Sequence, residues 1–435
     1  MNAESHPVSS TLIDRGVAIT ASLRPDLEGT FPFIIDRGEG AFVWDRDGQR
    51  YLDFTASCGA ILLGHRRREV DHAVIEQIRE RGTIFPTTLS EPQIQLAERL
   101  SSIFPCAERV LFFRTGSCAT TAAVRLARVF TGKTKVLTSG YHGWHDWHLQ
   151  IFPRFRFPDS QHLDFGYNLN LLEELLHNHR GELACIILTP EPTFFDGDYL
   201  REVQQIARRE GVLLIFDEIV SGFRYGVGGA QAMSGVVPDL ATIGKGLANG
   251  YGLAAVIGRQ DILDARNRTH LVGTYQHEVP PIVAALATTE VFIRDHVAER
   301  LATVGTRLLL GLQKILCSDD APNFVGRFPA LFHIIFEHEP QVQRFYAELR
   351  ARGVLMHPFD CQMLTAAHTE ADIDFALAAA AEAWAVAREA HPCRSGQSGL
   401  SREALDFRTL HEIGGTVRFR DPLSEIPRTW EQADR

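Results

Sequence analysis

The stretch Val212-Leu213-Leu214-Ile215-Phe216-Asp217-Glu218 decides the fold. A short, continuous apolar run of this kind is typical of a strand that is buried on both faces of a parallel sheet. The first acid after the run is Asp217. In open α/β sheets, ligands bind beyond the carboxyl ends of the strands. The stretch therefore predicts a central strand with a carboxylate at the ligand-binding edge.

The chain on either side of this stretch repeats the same pattern. Further short apolar runs are separated by segments with helical spacing, of which residues 116–130 and 200–210 are the clearest. Strands that alternate with helices indicate a parallel sheet covered on both faces, so the predicted fold class is α/β. The predicted strands are 110–113, 136–138, 183–188, 212–216, 239–243 and 253–257.

The two ends of the chain have a different pattern. Residues 33–54 read as three short strands with glycine breaks between them, which indicates a β-meander. Residues 283–314 read as one long helix, and Thr369, with an acid three residues later, marks the start of another helix. We predict an arm and meander over 1–55, a large domain over 56–300, a C-terminal small domain over 301–390 and a polar extension over 391–435.

Composition excludes several classes of protein. The chain has 435 residues, of which 45% are hydrophobic and 23% charged, and its net charge is −10. An acidic chain is a poor candidate for nucleic-acid binding, and no apolar run is long enough to cross a membrane. The start of the chain lacks the pattern of a secretory signal, and the seven cysteines form no C-x-x-C pair. We therefore expect a cytoplasmic protein with reduced thiols and no metal site.

A second unusual element is Gly244-Lys245-Gly246, which follows the predicted strand 239–243. A lone lysine between glycines is more often a surface loop residue, but Lys245 comes 28 residues after Asp217, at the end of the next strand. A lysine amine reacts with carbonyls, and an acid holds a pyridinium nitrogen protonated. This pair is what pyridoxal phosphate (PLP) needs from a protein.

The phosphate and the ring of such a cofactor need their own contacts. Thr115-Gly116-Ser117 follows a strand and opens a helix, where free N–H groups and hydroxyls bind phosphate, although Ser117 also fits a plain N-cap. Tyr141 follows the next strand, where an aromatic ring can lie on the pyridine ring. Trp144 and Trp147 are better explained as core packing. His145 and His148 have no acid or cysteine cluster around them, so we predict no metal.

These motifs resemble the class III aminotransferases of PLP fold type I, especially the branch around glutamate-1-semialdehyde aminomutase. The resemblance covers residues 30–390. Its most specific part runs from Phe216 to Arg224 and then from Pro238 to Gly246; Tyr141-His142-Gly143 and Gly273-Thr274 also fit. The resemblance implies a large domain with a mostly parallel sheet, and a smaller α+β domain built from the N- and C-terminal parts.

The resemblance also implies a role for each matching residue. Lys245 would hold PLP as a Schiff base, and Asp217 would pair with the pyridinium nitrogen. Ile219 would pack behind the ring and Tyr141 in front of it. The residues implied for the phosphate are Gly116 and Ser117, with Thr274 reaching the phosphate of a neighbouring subunit, so the family implies a homodimer.

The sequence also departs from the family pattern. Its Asn/Ser-Ser-Gly-Thr-Glu-Ala is here Arg114-Thr115-Gly116-Ser117-Cys118-Ala119, which leaves no role for Cys118. Either Thr189 or Glu191 could replace a family glutamate. Cys58 stands where the aminomutase has tryptophan.

The family assigns an amino-group transfer but leaves the substrates open. The segment between Tyr141 and Tyr167 is shorter than that of the aminomutase, which contains a gating loop. The difference favours a transaminase over an isomerase. We expect an amino donor such as glutamate, and a sugar or aminocyclitol carbonyl as the acceptor. The alternatives are an aminomutase, a β-amino acid transaminase and a PLP-binding protein without catalysis.

Overall fold

The computed structural model describes residues 7–20, 33–85, 88–148, 161–190, 197–318, 321–322, 324–326, 328–336, 339–358 and 360–390. The helices are α1 (Pro7–Ile19), α2 (Arg68–Arg81), α3 (Glu91–Ile103), α4 (Gly116–Thr131), α5 (Leu169–Asn178), α6 (Gly197–Glu210), α7 (Gly229–Ser234), α8 (Gln260–Leu263), α9 (Pro280–Arg294), α10 (Val297–Leu316), α11 (Glu339–Ala351) and α12 (Glu370–Ala390). Short 3₁₀ helices span Lys245–Ala248, Asp264–Arg268 and Thr274–His277.

The strands are β1 (Ile35–Glu39), β2 (Phe42–Asp45), β3 (Arg50–Asp53), β4 (Arg109–Phe113), β5 (Lys135–Ser139), β6 (His162–Asp164), β7 (Leu183–Leu188), β8 (Leu213–Glu218), β9 (Leu240–Ile243), β10 (Ala254–Gly258), β11 (Cys317–Ser318), β12 (Ala321–Pro322), β13 (Phe324–Val325), β14 (Leu331–Phe332), β15 (Ile334–Ile335), β16 (Val354–Leu355) and β17 (Gln362–Met363).

Contacts divide the described residues into two units, one formed by those up to 67 together with those from 300 to 390, and the other by those from 68 to 299. The prediction placed the first boundary after residue 55. Residues 56–67 belong with the meander because Gly40 and His65 exchange backbone hydrogen bonds of 2.9 and 2.8 Å. The His65 ring is also 2.9 Å from the buried carboxylate of Asp53.

The larger unit contains a seven-stranded sheet in the order β4-β10-β9-β8-β7-β5-β6. Strands β9, β8, β7, β5 and β6 are parallel, whereas β10 runs antiparallel to both of its neighbours. The predicted α/β class and the apolar strands are confirmed. Helix α4 packs on this sheet through a face of alanines, which lets the helix approach closely.

The smaller unit joins the two ends of the chain in one sheet. The meander β1-β2-β3 is extended by β16, which pairs in parallel with β3 through Val354 and Leu52. Phe33, Val43, Tyr51 and Leu355 form a buried cluster beneath it. The predicted small domain from N- and C-terminal parts is confirmed.

Two expectations about helices needed correction or extension. The single helix predicted over 283–314 is wrong, because α9 ends at Arg294 and α10 begins at Val297. The break lies at Asp295 and at His296, whose φ of 48° is left-handed and cannot continue a helix. Residues 7–19 of the predicted arm form α1. The predicted extension 391–435 lies outside the described residues.

Candidate active site

Asp217 is the centre of the candidate site. It lies in β8, near the carboxyl end, and is 3% exposed. Its Oδ1 accepts hydrogen bonds from the Thr242 hydroxyl at 3.0 Å and from the Ile219 amide at 3.2 Å. Its Oδ2 lies 2.8 Å from Nδ1 of His142. These three contacts fix the orientation of the buried carboxyl group.

Sequence reasoning did not single out His142 and Thr242, whose side chains contact Asp217. Nδ1 of His142, in the loop after β5, lies against one carboxyl oxygen, and the Thr242 hydroxyl of β9 donates to the other. The Thr120 hydroxyl of α4 donates to the His142 carbonyl at 2.6 Å and holds this loop in place. The available signals were the histidine inside Tyr141-His142-Gly143 and the one polar residue in the apolar strand β9.

Lys245 follows shortly after β9, the strand next to that of Asp217. The parallel register pairs Asp217 with Thr242, three residues before Lys245. Lys245 is partly buried and has a φ of 45° at the start of a 3₁₀ turn. Strands β8 and β9 therefore deliver the predicted acid and the predicted amine to the same sheet edge.

Ile219 connects the amine and the predicted phosphate loop. A Cβ added to Gly116 would lie 3.1 Å from Cγ2 of Ile219, and one added to Gly244 would lie 3.1 Å from its Cδ1. Both glycines therefore allow the chain to approach the Ile219 side chain closely. The structure brings Gly116, Ile219 and the residue before Lys245 together.

Ser117 lies in the first turn of α4, and Thr115, rather than Ser117, caps the helix by accepting from the Cys118 amide. The Ser117 hydroxyl accepts from the Trp144 amide at 3.4 Å. A Cβ at Gly143 would lie only 2.3 Å from Ser117 Oγ, so the 143–144 backbone packs directly on it. A helix N-terminus with a hydroxyl and a glycine cradle suits a phosphate group.

Tyr141 is 55% exposed, so its ring is open to a ligand. Partial burial and the negative charge of Asp217 raise the pKa of Tyr141, which places the phenol in the electrostatic field of the central acid. The Thr189 hydroxyl donates to the Tyr141 carbonyl at 3.4 Å. Glu191, the other candidate for the family glutamate, lies outside the described residues.

The remaining predictions have mixed outcomes. Core packing is wrong for Trp144, which is 71% exposed, and right for Trp147, which packs against the core around α4. Cys118 packs against the same core. Thr274 begins the 3₁₀ helix Thr274–His277, and no hydrogen bond among the described residues connects it to the other predicted site residues.

The residues of the candidate site fit PLP. The carboxyl of Asp217, held by three contacts, is suited to pair with a pyridinium N–H, and Lys245 supplies an amine. The Nε2 of His142 is buried and has no hydrogen-bond partner in the described part of the chain.

Comparisons with known proteins agree with this geometry. Residues 25–369 match the family model described as aminotransferase class III. The chain is 36% identical over 378 residues to the 2'-deamino-2'-hydroxyneamine transaminase of Streptomyces kanamyceticus, covering 84% of this chain and 96% of the relative. It is 35% identical over 393 residues to the 3-aminobutyryl-CoA aminotransferase of Cloacimonas acidaminovorans, covering 86% and 94%. Glutamate-1-semialdehyde 2,1-aminomutases are also among its relatives.

A solved structure supports the same fold and cofactor. An amine transaminase from an uncultivated Pseudomonas species, in its PLP-bound form, superposes with a TM-score of 0.74 and 25% identity over 85% of this chain and 98% of that one. The match to the family model spans most of the chain. We conclude that the chain belongs to the class III aminotransferases, which are PLP-dependent enzymes of fold type I.

Proposed function

We propose that this aminotransferase moves an amino group from a donor such as glutamate to the carbonyl of a sugar or an aminocyclitol. The observation that supports amino-group transfer is the pairing of β8 with β9. It brings Lys245 and the buried Asp217, whose carboxyl makes three hydrogen-bond contacts, to one edge of the sheet. The acceptor class is supported by the relative named for a hydroxyneamine. The exposed Trp144 ring offers a surface on which a sugar ring can stack.

Each residue has a proposed task. PLP, when bound, accepts the electrons of the substrate C–H bond. Asp217 holds the proton on the pyridine nitrogen, and His142 and Thr242 hold Asp217. Lys245 would hold the cofactor through its amine; once the amine of the donor substrate has displaced it, the freed lysine amine would move a proton from the substrate carbon to C4′ of the cofactor. Ile219 and Tyr141 orient the ring from its two faces.

The phosphate has its own set of proposed ligands. Gly116 and Ser117 bind it at the N-terminus of α4, and Thr274 reaches it from a neighbouring subunit. We therefore propose a homodimer, and we propose a cytoplasmic location. Among the described residues, no helix is both long and apolar enough to cross a membrane.

The deciding experiment offers the loaded enzyme one donor at a time. We expect glutamate to convert the cofactor to its amine form, with release of 2-oxoglutarate, and Lys245→Ala to abolish this conversion while the protein stays folded. Conversion by the Lys245→Ala variant would refute the assignment. No conversion with any donor would favour a PLP-binding protein without catalysis.

The acceptor class is tested in the reverse direction. The enzyme is given 2-oxoglutarate with either 2-deoxystreptamine, glucosamine or 3-aminobutyrate, and glutamate is measured. We expect glutamate from the aminocyclitol or the amino sugar. Glutamate from 3-aminobutyrate alone would identify a β-amino acid transaminase, and isomerisation of glutamate-1-semialdehyde without any keto acid would identify an aminomutase.

A further inference from the structure

Arg114 stands immediately before the proposed phosphate loop, where the family pattern has a neutral asparagine or serine. It follows β4 and precedes Thr115, the cap of α4. Its Nη2 lies 3.0 Å from Oε2 of Glu278, and both side chains are about 30% exposed, at 29% and 28%. The departure from the family therefore places an ion pair directly beside the loop that carries Gly116 and Ser117.

Glu278 is held on a fixed backbone. It directly follows the 3₁₀ helix Thr274–His277, and its amide donates to the Tyr275 carbonyl at 3.2 Å. It forms an isolated β-bridge with Ile84, and the next amide, that of Val279, donates to Thr83 at 2.8 Å. The ion pair therefore joins the phosphate loop to the turn that begins with Thr274.

Arg114 also touches the connection between Lys245 and β10. A Cβ added to Gly252 would lie 3.5 Å from Arg114 Nη2 and 3.5 Å from the Arg114 carbonyl oxygen. The other terminal nitrogen, Nη1, is buried and has no hydrogen-bond partner among the described residues. Arg114 thus contacts two other segments, at Gly252 and at Glu278, and it retains one unused donor group.

We infer that the Arg114–Glu278 ion pair is a positioning clamp for the cofactor phosphate. The inference rests on the proposed function. Phosphate binding at a helix N-terminus depends on the direction of the N–H groups and of the Ser117 hydroxyl. The clamp fixes that direction by holding Thr115–Ser117 against the 274–278 turn.

The test compares two cofactor forms on apo-protein. PLP carries the phosphate, and pyridoxal lacks it but keeps the aldehyde that reacts with Lys245. We expect Arg114→Gln and Glu278→Gln each to weaken PLP binding about tenfold, as for loss of a charged hydrogen bond, and to leave pyridoxal binding unchanged. The double variant should be no weaker than either single one, and the exchanged pair Arg114→Glu with Glu278→Arg should recover part of the affinity.

The controls separate this clamp from general stability. Arg209→Gln breaks more exposed ion pairs, with Glu173 at 2.8 Å and with Glu210 at 3.1 Å, and should change neither affinity. Equal loss of PLP and pyridoxal binding in the Arg114 and Glu278 variants would overturn the clamp, and so would unchanged PLP binding. If the unaltered protein bound neither form, the proposed function itself would fail first.

Discussion

Asp217 and Lys245 could be predicted from the sequence because strand ends and reactive side chains are local features. Their partners could not. His142 lies 75 residues from Asp217 along the chain, and only the order of the strands shows that the two meet. A polar residue inside an apolar strand, such as Thr242, indicates a buried partner but does not identify it.

Glu218, the neighbour of Asp217, is a second buried carboxyl with its own electrostatics. Burial raises its pKa from 4.5 to about 7, although the Ala230 amide and the Gln231 side chain donate to it at 2.6 and 3.0 Å. Between these two pH values the folded state keeps a proton that the unfolded state has released. Its contribution to stability is therefore complete below about pH 4.5 and is lost as the pH rises through about 7, by roughly 3 kcal/mol.

Glu218→Gln tests this contribution. The variant stays neutral, so the stability advantage of the unaltered protein over it should shrink as the pH rises from 5 to 8. Urea unfolding at several pH values measures the difference. Glu80→Gln, at an exposed position of α2 beside Arg79, should show no such trend, and a pH-independent difference for Glu218→Gln would contradict the prediction.

At the scale of elements, long apolar runs were predictable and short pairings were not. Strands β7 and β8 are buried along their whole length; β7 is uniformly apolar, and β8 is apolar up to Asp217 and Glu218 at its end. The two-residue strands β14 and β17 exist only because Leu331 pairs with Met363, and such a register leaves no local pattern. The break between α9 and α10 was missed because apolar spacing continues across it.

The packing of the 141–148 loop on α4 gives a prediction at this scale. Gly143 has a φ of 95°, and a Cβ there would lie 2.3 Å from Ser117 Oγ and 2.8 Å from Ser117 Cα. Gly143→Ala should lower the free energy of unfolding by about 3 kcal/mol, because backbone strain and overpacking act together. The variant should also bind PLP more weakly.

Gly132→Ala is the matched control for this substitution. Gly132 has a φ of 70° at the end of the same helix, with no atom within 4 Å of its added Cβ. Gly132→Ala should lower the free energy of unfolding by about 1 kcal/mol, from backbone strain alone, and leave PLP binding unchanged. Denaturant unfolding measures the loss of stability, and cofactor titration measures PLP binding. Equal losses of stability in the two variants would contradict the prediction, because they would show that the 141–148 loop moves away from Ser117 at no cost.

For the whole molecule, the sequence predicted the two-part architecture from a change of periodicity near each end. The boundary itself was less accessible, because the bridge between Gly40 and His65 depends on backbone pairing rather than on composition. For the site, the sequence predicted an acid and an amine at neighbouring strand ends, and the roles of Asp217 and Lys245 stay predictions. The Arg114–Glu278 ion pair required the structure.

The proposed homodimer gives a prediction for the whole molecule. Val272 and Tyr275, which flank Thr274, are 80% and 65% exposed in the single chain, and apolar side chains exposed side by side favour a protein partner. Light scattering should give about twice the chain mass of 48.6 kDa. Val272→Asp with Tyr275→Glu should shift the mass towards one chain on dilution, and a monomeric unaltered protein would contradict the proposal.

The left-handed backbone of Lys245 has an evolutionary consequence. An L-amino acid at a φ of 45° is disfavoured by its own chirality, and glycine would relieve that tension. In the absence of cofactor, the free energy of unfolding of Lys245→Gly should therefore exceed that of Lys245→Ala by about 1 kcal/mol, although both variants lose the amine. Natural selection would then have retained a residue that destabilises the cofactor-free protein, because only a lysine at this position supplies the reactive amine.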